Sequence, residues 1–525
     1  MSEHYDLIVI GSGAGGGTLT HTLAPTGARI LLLERGDWLR REVENWSPQA
    51  LWKDLRYRNS GKWTDQNGKE FTPKQHYYVG GNTKFYGAVL FRFRERDFGA
   101  IAHVDGVSPA WPLSYADFEP YYTRAEQLYA VHGERGGDPT EPPAATPYPF
   151  PAVSDEPRIA QLRADLGSAG LQPFALPVGI RIDETRPQTS PCIRCATCDG
   201  YPCPTNGKAD AAVMCVEPAL HHPNVTLLTN ARVTRLETAP DGRTVNRVVV
   251  TRNGEVESYT ADIVVVSAGA INSAALLLGS ANDTHPRGLG NSSDLVGRHL
   301  MIHNNASLIA FSHEPNPTRF QKTLGINDWY FGDGQWPHPL GGIQMNGKSD
   351  AILVGFDAPD EADPAALARH ALDFWITTED LPRPDNRVHL GPDGRIQLSY
   401  TPTNTEAHDR LIAKFKGLLD VMRCHQHVQE NRHYWGGRLG ISGVAHQNGT
   451  ARFGTDPETS VLDVNCKLHD VDNTYVVDSS FFVSSTAVNP TLTIVANALR
   501  VADHLAERLG VAAVPTARQE PVTVR

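Results

Sequence analysis

The sequence lacks long runs of either basic or apolar residues. Its formal net charge of −11 is spread along the chain, and no Lys/Arg run exceeds a few residues, which argues against a nucleic-acid partner. No stretch reaches the roughly 18 consecutive apolar residues that cross a bilayer. The opening residues, MSEHYDLIVI, also lack the basic stretch, apolar run and small-residue cleavage site of a secretory signal. We therefore expect a soluble cytoplasmic protein with no membrane span.

Cysteine is scarce and unevenly placed. Of the 7 cysteines, Cys192, Cys195, Cys198 and Cys203 fall in one short stretch, which is not the even spread of a disulfide framework. Their spacing, C-x2-C-x2-C-x4-C followed by proline, comes within one residue of a bacterial ferredoxin run. These thiols could hold an iron-sulfur cluster or a zinc ion, form local disulfides, or stay free. The spacing leaves these alternatives open, and we assign no metal to the chain.

The chain also lacks internal repeats and low-complexity tracts. Its 525 residues are more than one ordinary hydrophobic core accommodates. The composition, with 40% hydrophobic and 20% charged residues, is typical of a globular protein. We expect two intertwined domains, or one large α/β domain with a second layer. A Pro-rich stretch at residues 136–157 predicts an extended connector between parts of the chain.

The N-terminal residues predict a strand, turn, helix, strand unit. Residues 5–10 are β-branched and apolar, GSGAGGG follows at once, and the next segment is typical of a helix through Leu23. A second strand at residues 29–33 ends on the acid Glu34. We expect the two strands to be parallel, with a right-handed crossover.

Gly11, Gly13 and Gly16 form G-x-G-x-x-G where the first strand meets the helix. The first glycine permits a tight turn, the second lets the backbone approach a pyrophosphate, and the third allows close helix packing. Glu34 is placed to accept hydrogen bonds from a ribose. The motif predicts a dinucleotide site, which suits both FAD and NAD, and its position at the extreme N-terminus favours FAD.

Later segments predict a mixed α/β architecture. Strands are expected at residues 225–228, 247–251 and 263–267, a helix at about 272–278, and short antiparallel strands between about 308 and 400, as in ASLIAF, AILVGF and RIQLSY. A helix near 406–422 precedes a last amphipathic helix at about 490–509. Pro490 suits the first position of that helix, so Asn489 is expected at its N-cap.

Four segments fall in the order typical of one enzyme family. After the glycine motif come VGGNTKFYGAVLFRFRERDF from Val79, VVVSAGAINSAALLLGS at residues 264–280, and the C-terminal set GVAHQNGTARFG and NTYVVDSSFFVSSTAVNPTLTIVANALRVA. In these motifs, which span the chain from end to end, the sequence resembles the glucose-methanol-choline (GMC) family of flavin oxidoreductases. The resemblance implies an α/β (α+β) fold, with an FAD-binding Rossmann-like βαβ domain and a substrate domain built on an antiparallel sheet.

The same resemblance implies a discontinuous domain organisation. Residues 1–36, about 205–305 and about 440–525 would form the FAD-binding domain. About residues 37–204 would supply flavin-covering and insertion segments with the Cys-rich loop, and about 306–439 would form the substrate-binding domain.

His446 and Asn489 occupy, by this resemblance, the positions of the family's catalytic pair. A neutral imidazole, with an ordinary pKa near ~6.5, can accept an alcohol proton as a hydride leaves the same carbon. The Asn489 amide can orient the substrate hydroxyl, and the positive end of the last helix would stabilise an anionic reduced flavin. Asp478 resembles the family's acid near the ribityl and phosphate chain of FAD. The expected cofactor-contacting positions are Gly11, Gly13, Ala14, Gly16, Glu34, Arg35, Gly80, Gly81, Asn82, Thr83, Val233, Ala268, Gly269, Asp478, Asn489, Pro490 and Thr491.

Within the family, the sequence is most similar to bacterial members of the pyranose oxidase and glycoside 3-oxidase type. In pyranose oxidases the loop equivalent to GGNTKFYG often carries a histidine bonded to the flavin, whereas Phe85 stands there in this chain. FAD is therefore expected to be noncovalent. The implied reaction is oxidation of a secondary alcohol of a sugar or glycoside, at C2 or C3 of a pyranose, with O2 or a quinone as electron acceptor.

The remaining expectations concern the substrate and the cysteines. A sugar pocket would use polar and aromatic side chains, which the segment 329–345 offers, although ordinary core and loop roles suit them equally. These side chains are Trp329, Tyr330, Trp336, His338 and Gln344. An iron-sulfur cluster, as in some sugar dehydrogenases of the wider family, would imply a dehydrogenase with an external acceptor, and its absence would favour an oxidase. The alternatives are a GMC enzyme acting on a non-sugar alcohol and a flavin-binding protein without turnover.

Overall fold

Two large sheets organise the protein, and a computed structural model describes them within residues 3–430, 441–443 and 445–511. The strands in chain order are β1 His4–Ile10, β2 Ile30–Leu33, β3 Trp63–Asp65, β4 Glu70–Phe71, β5 Ile101–His103, β6 Gly106–Ser108, β7 Val131–Gly133, β8 Phe150–Pro151, β9 Phe174–Ala175, β10 Val178–Gly179, β11 Val225–Leu228, β12 Ala231–Thr238, β13 Val245–Arg252, β14 Glu255–Val266, β15 Asn304–Ser312, β16 Leu324–Ile326, β17 Gly342–Met345, β18 Ala371–Thr378, β19 Arg387–Leu390, β20 Ile396–Ser399, β21 Cys424–Glu430 and β22 Thr474–Val476.

Helices connect and cover these strands. They are α1 Ala14–Leu23, α2 Tyr115–Leu128, α3 Pro157–Ser168, α4 Glu217–Ala219, α5 Ala270–Gly279, α6 Ala351–Gly355, α7 Pro364–His370, α8 Thr405–Lys416 and α9 Thr491–Arg508. Short 3-10 turns lie at Ala24–Thr26, Val43–Trp46, Gly81–Lys84, Glu95–Phe98 and Ser479–Phe481, and π-helical turns at Gln49–Lys53 and Ala212–Val216. In the part of the chain that the structure describes, no helix is both long enough and apolar enough to cross a membrane.

The first sheet confirms the parallel unit expected at the N-terminus. Its order is β11-β2-β1-β14-β13-β12, and β22 pairs with β14. β1 runs parallel to both β2 and β14, while β12, β13 and β14 form an antiparallel extension. Apolar residues fill the parallel strands because both faces are covered, and α1 packs with α9 on the sheet. The carboxyl ends of these strands therefore open on one edge, where a nucleotide is usually bound.

The second sheet is antiparallel, as expected for a substrate domain. Its order is β21-β15-β18-β17-β16-β9. One face carries alternate apolar residues such as Leu308 and Phe374, which pack with Leu162 of α3 and with Leu411 and Phe415 of α8. Burial of these side chains fixes the register of the strands, since a one-residue slip would turn them to the other face.

Two elements of the central segment differ from the sequence expectation. AILVGF was expected to form a strand but forms α6, because the Asp350 carboxylate accepts hydrogen bonds from the backbone N–H groups of Ile352 and Leu353 and starts a helix. RIQLSY does form a strand, β20, but in a separate four-stranded sheet of order β19-β20-β3-β4. The helix expected at 406–422 ends earlier, at Lys416.

The start of the last helix also corrects the expected cap. α9 begins at Thr491, so Pro490 rather than Asn489 is the N-cap residue, and no side chain accepts a capping hydrogen bond there. The Asn489 side chain is thus not engaged as the predicted N-cap, and Asn489 lines the cavity described next.

Candidate active site

A cavity of about 900 Å³ lies where the two sheets meet. Its walls include the turn after β1, the end of β2, the start of α5 and the start of α9. Gln344 of β17 and Trp375 of β18 line it from the antiparallel sheet. This volume is at the upper end of the range for ligand pockets, so the cavity suits an extended ligand with a second molecule beside it.

The glycine turn after β1 forms one end of the cavity. Gly11 has a φ of +101°, and a Cβ on it would lie 2.3 Å from the carbonyl oxygen of Ser267. A Cβ on Gly16 would lie 2.0 Å from the oxygen of Gly11, so this glycine packs the helix against the turn. A Cβ on Gly13 would have no protein atom within 4 Å. Gly13 therefore leaves its backbone open to the cavity at the N-terminus of α1, where an anion is favoured.

Glu34 closes the same end of the cavity at the carboxyl end of β2. Its carboxylate accepts hydrogen bonds from Ser12 Oγ at 2.7 Å, from the Ser12 backbone N–H at 3.2 Å and from the Gly36 N–H at 2.9 Å. Burial raises the pKa of Glu34, and these hydrogen bonds oppose the rise. The carboxylate keeps acceptor capacity for a hydroxyl of a ligand in the cavity.

The loop after Val79 runs over the glycine turn. Gly80 has a φ of +95° and donates its N–H to Ser12 Oγ at 3.1 Å, which ties the loop to the turn. Phe85, at the end of this loop, stacks on the ring of His76 with centroids 3.7 Å apart. Burial lowers the pKa of His76 to about 3, so its ring is neutral. The stacked pair forms an apolar part of the cavity wall.

Asp478 joins the loop after β22 to the start of α5. It accepts hydrogen bonds from the Gly269 N–H at 2.9 Å and from Ser273 Oγ, and it accepts another from the Ser480 N–H at 2.8 Å. Burial raises the pKa of Asp478, and these donors hold it down. Asp478 therefore braces two backbone segments of the cavity wall.

His446 and Asn489 both line the cavity near the antiparallel sheet. The ring of His446 lies 6.4 Å from that of Trp375, measured between centroids. Burial is the main cause that lowers the pKa of His446 to about 3, and nearby His303 and Lys74 lower it further. At neutral pH the His446 imidazole is thus uncharged and able to accept a proton.

A second histidine, which sequence reasoning missed, contacts His446. His303 Nδ1 and His446 Nδ1 are 3.1 Å apart, and His303 Nε2 lies 2.8 Å from the carbonyl oxygen of Ser485. His303 is 1% exposed. No local sequence signal predicts this contact, because His303 and His446 are 143 positions apart.

Several amide side chains line the same cavity, and most of these were missed as well. Gln75, Asn346 and Gln447 line the cavity together with Gln344. Gln75 Nε2 donates to Gln447 Oε1 at 2.7 Å. Lys74 also lines the cavity, and burial lowers its pKa. Neutral donors and acceptors of this kind suit the hydroxyl groups of a polyol.

Most of the cofactor-contacting positions expected from the sequence line the cavity. They are Gly11, Gly13, Ala14, Glu34, Arg35, Gly81, Asn82, Thr83, Val233, Ala268, Gly269, Asp478, Asn489, Pro490 and Thr491. Gly16 and Gly80 are not among its lining residues and instead pack behind the wall.

The aromatic segment expected to form a sugar pocket lies mostly elsewhere. Of the five residues named, only Gln344 lines this cavity. Tyr330 is buried and donates its hydroxyl to Asp97 at 2.9 Å, while Trp336 lies under the guanidinium of Arg410 at 3.8 Å. Of the two roles that the sequence left open for this segment, Tyr330 and Trp336 have the ordinary core and loop role.

The clustered cysteines carry free thiols. Cys192, Cys195, Cys198 and Cys203 are all unpaired in the structure. Burial is the main cause that raises the pKa of Cys192 to about 12, which favours its neutral thiol. Across residues 3–430, 441–443 and 445–511, no group of three or more His, Cys, Asp or Glu side chains is arranged to hold a metal ion.

The residues present fit FAD. The Gly13 backbone at the start of α1 offers a pyrophosphate site without obstruction, and the Glu34 carboxylate stands where a ribose would need an acceptor. The same cavity is also lined by Asp478, His446 and Asn489. A long dinucleotide can therefore lie along the cavity and leave room for a substrate beside His446.

Comparisons with known proteins agree with this architecture. Two family models, both described as GMC oxidoreductase, match residues 6–305 and 382–498. The chain is 34% identical to 6'''-hydroxyparomomycin C oxidase of Streptomyces lividus, over 96% of this chain and 92% of that protein. It is 31% identical to paromamine 6'-oxidase of Streptomyces fradiae, over 96% and 91%. Pyridoxine 4-oxidase from Mesorbium loti has the same fold, with a TM-score of 0.68 at 20% identity, covering 96% of this chain and 99% of that one.

Proposed function

The chain belongs to the GMC oxidoreductase family, and from this premise we propose that it oxidises a hydroxyl group of a sugar or glycoside, with noncovalently bound FAD. The single observation that carries the proposal is the neutral imidazole of His446 in the same cavity as Asn489 and several amide side chains. FAD supplies the hydride acceptor when it is bound. The chain's own residues must then remove the hydroxyl proton and hold the alcohol in place.

His446 is the proposed general base. Its low pKa keeps the ring uncharged at neutral pH, so it can take the proton of a substrate hydroxyl as the C–H bond of that carbon is broken. No described residue hydrogen-bonds to Nε2 of this ring, which leaves that nitrogen for the substrate. Asn489 is the proposed orienting residue, since its amide can both donate to and accept from a hydroxyl group.

The cofactor end of the cavity has a separate role. Gly13 and Glu34 would hold the pyrophosphate and a ribose, as argued above. Thr491 and Ile494 of the first turn of α9 also line the cavity, so the N-terminus of a buried helix faces the ligand space. The partial positive charge of a helix N-terminus favours a neighbouring negative charge. Phe85, which cannot form a covalent bond to a flavin, supports the noncovalent assignment.

The substrate class rests on the cavity wall and on the relatives together. Gln75, Gln344, Asn346 and Gln447 offer donors and acceptors to several hydroxyl groups. Two of the relatives are named 6'''-hydroxyparomomycin C oxidase and paromamine 6'-oxidase, and the second name specifies position 6'. These names favour the exocyclic hydroxyl at position 6 of a glycoside over the ring hydroxyl at C2 or C3 that the sequence resemblance implied.

The test is an anaerobic absorbance titration of the purified holoenzyme with paromamine, methyl glucoside, choline and benzyl alcohol. Bleaching of the flavin band near ~450 nm by the two sugars alone is the expected result. Bleaching only by choline or benzyl alcohol would contradict the sugar assignment, and no bleaching by any alcohol would favour a flavin-binding protein without turnover. FAD released into the supernatant by acid precipitation would support the noncovalent assignment.

Regiochemistry and the acceptor need two further measurements. Loss of activity with methyl 6-deoxyglucoside, but not with its 2-deoxy or 3-deoxy counterparts, would place the reaction at position 6. The reverse pattern would place it on the ring. Hydrogen peroxide formed in air identifies an oxidase, whereas turnover only with an added quinone identifies a dehydrogenase.

A further inference from the structure

One buried histidine is bonded to both loops that carry the proposed catalytic residues. His303 precedes β15, and its Nδ1 lies 3.1 Å from Nδ1 of His446. Its Nε2 lies 2.8 Å from the carbonyl oxygen of Ser485, in the loop that leads to Asn489. The His303 ring is therefore the only described side chain with hydrogen bonds to both His446 and that loop.

The chemistry of these two bonds fixes where the protons lie. A carbonyl oxygen only accepts, so His303 must donate from Nε2 to Ser485. Burial lowers the pKa of His303, so the ring carries one proton and its Nδ1 is an acceptor. His446 must then donate from its own Nδ1, because two unprotonated nitrogens at this distance would place their lone pairs against each other. His446 is left with an unprotonated Nε2.

We propose that His303 is a positioning residue, which holds His446 in the tautomer with a protonated Nδ1 and so presents the unprotonated Nε2 to the alcohol. This rests on the proposed function, in which His446 is the base. In the other tautomer the proton would lie on Nε2, and that nitrogen could not accept a proton from the alcohol.

Hydrogen bonds to the Asp380 carboxylate restrain the backbone around His303. The Asp380 carboxylate accepts the backbone N–H groups of Ile302 and His303, each at 2.8 Å. The same carboxylate accepts Ser485 Oγ at 3.0 Å and the Tyr400 hydroxyl at 2.9 Å. One buried acid thus fixes the backbone on both sides of the His303–Ser485 bond.

The loop that His303 contacts is itself tightly bound up to Asn489. Trp111 Nε1 donates to Ser484 Oγ at 2.7 Å, and the Thr486 N–H donates to Glu379 at 3.0 Å. Because this loop is rigid, the Ser485 carbonyl is a fixed reference point for the His303 proton. The Ser485 carbonyl, as an acceptor, requires His303 to donate from Nε2 and therefore requires His446 to donate from Nδ1 to His303.

The first test is independent of catalysis. Holoenzyme labelled with 15N-histidine is examined by two-bond 1H–15N correlation NMR at neutral pH, and the His446 signals are assigned by their loss in His446→Asn. We expect Nδ1 of His446 to show the shift of a protonated nitrogen and Nε2 that of an unprotonated one. A protonated Nε2 on His446 would overturn the proposal, whatever alcohol the enzyme oxidises.

The second test compares two variants that separate the two bonds. In His303→Asn the side-chain oxygen can take the place of Nδ1 and keep the acceptor for His446, while the bond to Ser485 is lost. In His303→Gln the amide can keep the donor to Ser485, while the acceptor for His446 is lost. The anaerobic flavin reduction rate, measured with paromamine, should fall about 10²-fold in the Gln variant and much less in the Asn variant.

The opposite order, with Gln faster than Asn, would show that His303 serves only to support the loop. His303 has a φ of +65°, which Asn tolerates better than Gln, so thermal midpoints are measured for both variants. If the Gln variant is not obtained folded, the tautomer of His446 is read in His303→Asn, where the protonated Nδ1 must persist. If paromamine and the other sugars fail to reduce wild-type flavin, the proposed substrate fails while the NMR result still decides the role of His303.

Discussion

The side-chain amides of Gln75 and Gln447 are joined by a hydrogen bond of 2.7 Å across 372 positions of the chain. Gln447 follows His446, and its backbone carbonyl accepts Ser479 Oγ at 2.6 Å. Gln75 Oε1 also accepts Asn82 Nδ2 at 3.2 Å. The residue beside the proposed base is thus held by Gln75, which comes from a distant segment of the chain and also lines the cavity.

Replacement of Gln75 by Leu should destabilise the holoenzyme and loosen the proposed base. The change leaves the buried amide of Gln447 and the half-buried amide of Asn82 without this partner, at a cost of about 1–3 kcal/mol. The free energy of unfolding should fall by that amount, and the flavin reduction rate should fall with it. Denaturant unfolding and anaerobic stopped-flow measure the two effects. The matched control is Gln161→Leu on the exposed face of α3, which should change neither quantity.

Two glycines of the same motif should respond differently to alanine. A Cβ on Gly16 would lie 2.0 Å from the backbone oxygen of Gly11, so Gly16→Ala should destabilise the fold by about 1–3 kcal/mol. A Cβ on Gly13 meets no protein atom within 4 Å and its φ of −71° suits alanine, so Gly13→Ala should fold normally. It should nevertheless bind FAD more weakly, because the methyl group enters the space assigned to the pyrophosphate. Unfolding curves and FAD titration separate these effects, and wild-type FAD affinity in Gly13→Ala would contradict the site.

Acid should destabilise the protein through its buried neutral histidines. Burial lowers the pKa of His299 to about 3, below the ordinary value near ~6.5 of the unfolded chain. The unfolded state therefore binds the proton first, and the stability from this group is complete above pH ~6.5 and is lost as pH falls towards ~3. His299→Asn should make the fall between about pH 6 and 4 shallower, by up to about 1.4 kcal/mol per pH unit. An unchanged slope in His299→Asn would contradict the account.

The sequence was sufficient to predict the nucleotide half of the fold. The strand, glycine turn and helix at residues 4–23 are local features of the sequence. The spacing of the glycines predicted their positions correctly, because each glycine is needed where the backbone packs closely. AILVGF was misassigned because the periodicity of a short apolar run does not distinguish a strand from a helix. The Asp350 carboxylate, which caps the N-terminus, favours the helix. Asn489 was expected to be the N-cap of α9, but the helix starts one residue later than expected. A sequence pattern does not define a helix boundary to within one residue.

Only the site residues that lie within the ordered family motifs were predicted from the sequence. His446 and Asn489 lie on the cavity as the family resemblance implied. His303 and Gln75 reach the site through contacts between residues far apart in sequence, and nothing in their neighbouring residues distinguishes them. Trp336 was grouped with the cavity by composition, yet it packs under Arg410, because an aromatic ring fits a core as well as a ligand site.

The most direct measurement is anaerobic stopped-flow reduction of the flavin by paromamine in wild type and in His446→Ala, with FAD content matched. Loss of the neutral base should slow reduction by at least about 10²-fold, while substrate affinity stays within a few-fold. Because the pKa of His446 is about 3, the wild-type rate should show no loss from this group between pH 5 and 8. Reduction of the His446→Ala flavin at nearly the wild-type rate would contradict the role of His446 as the base.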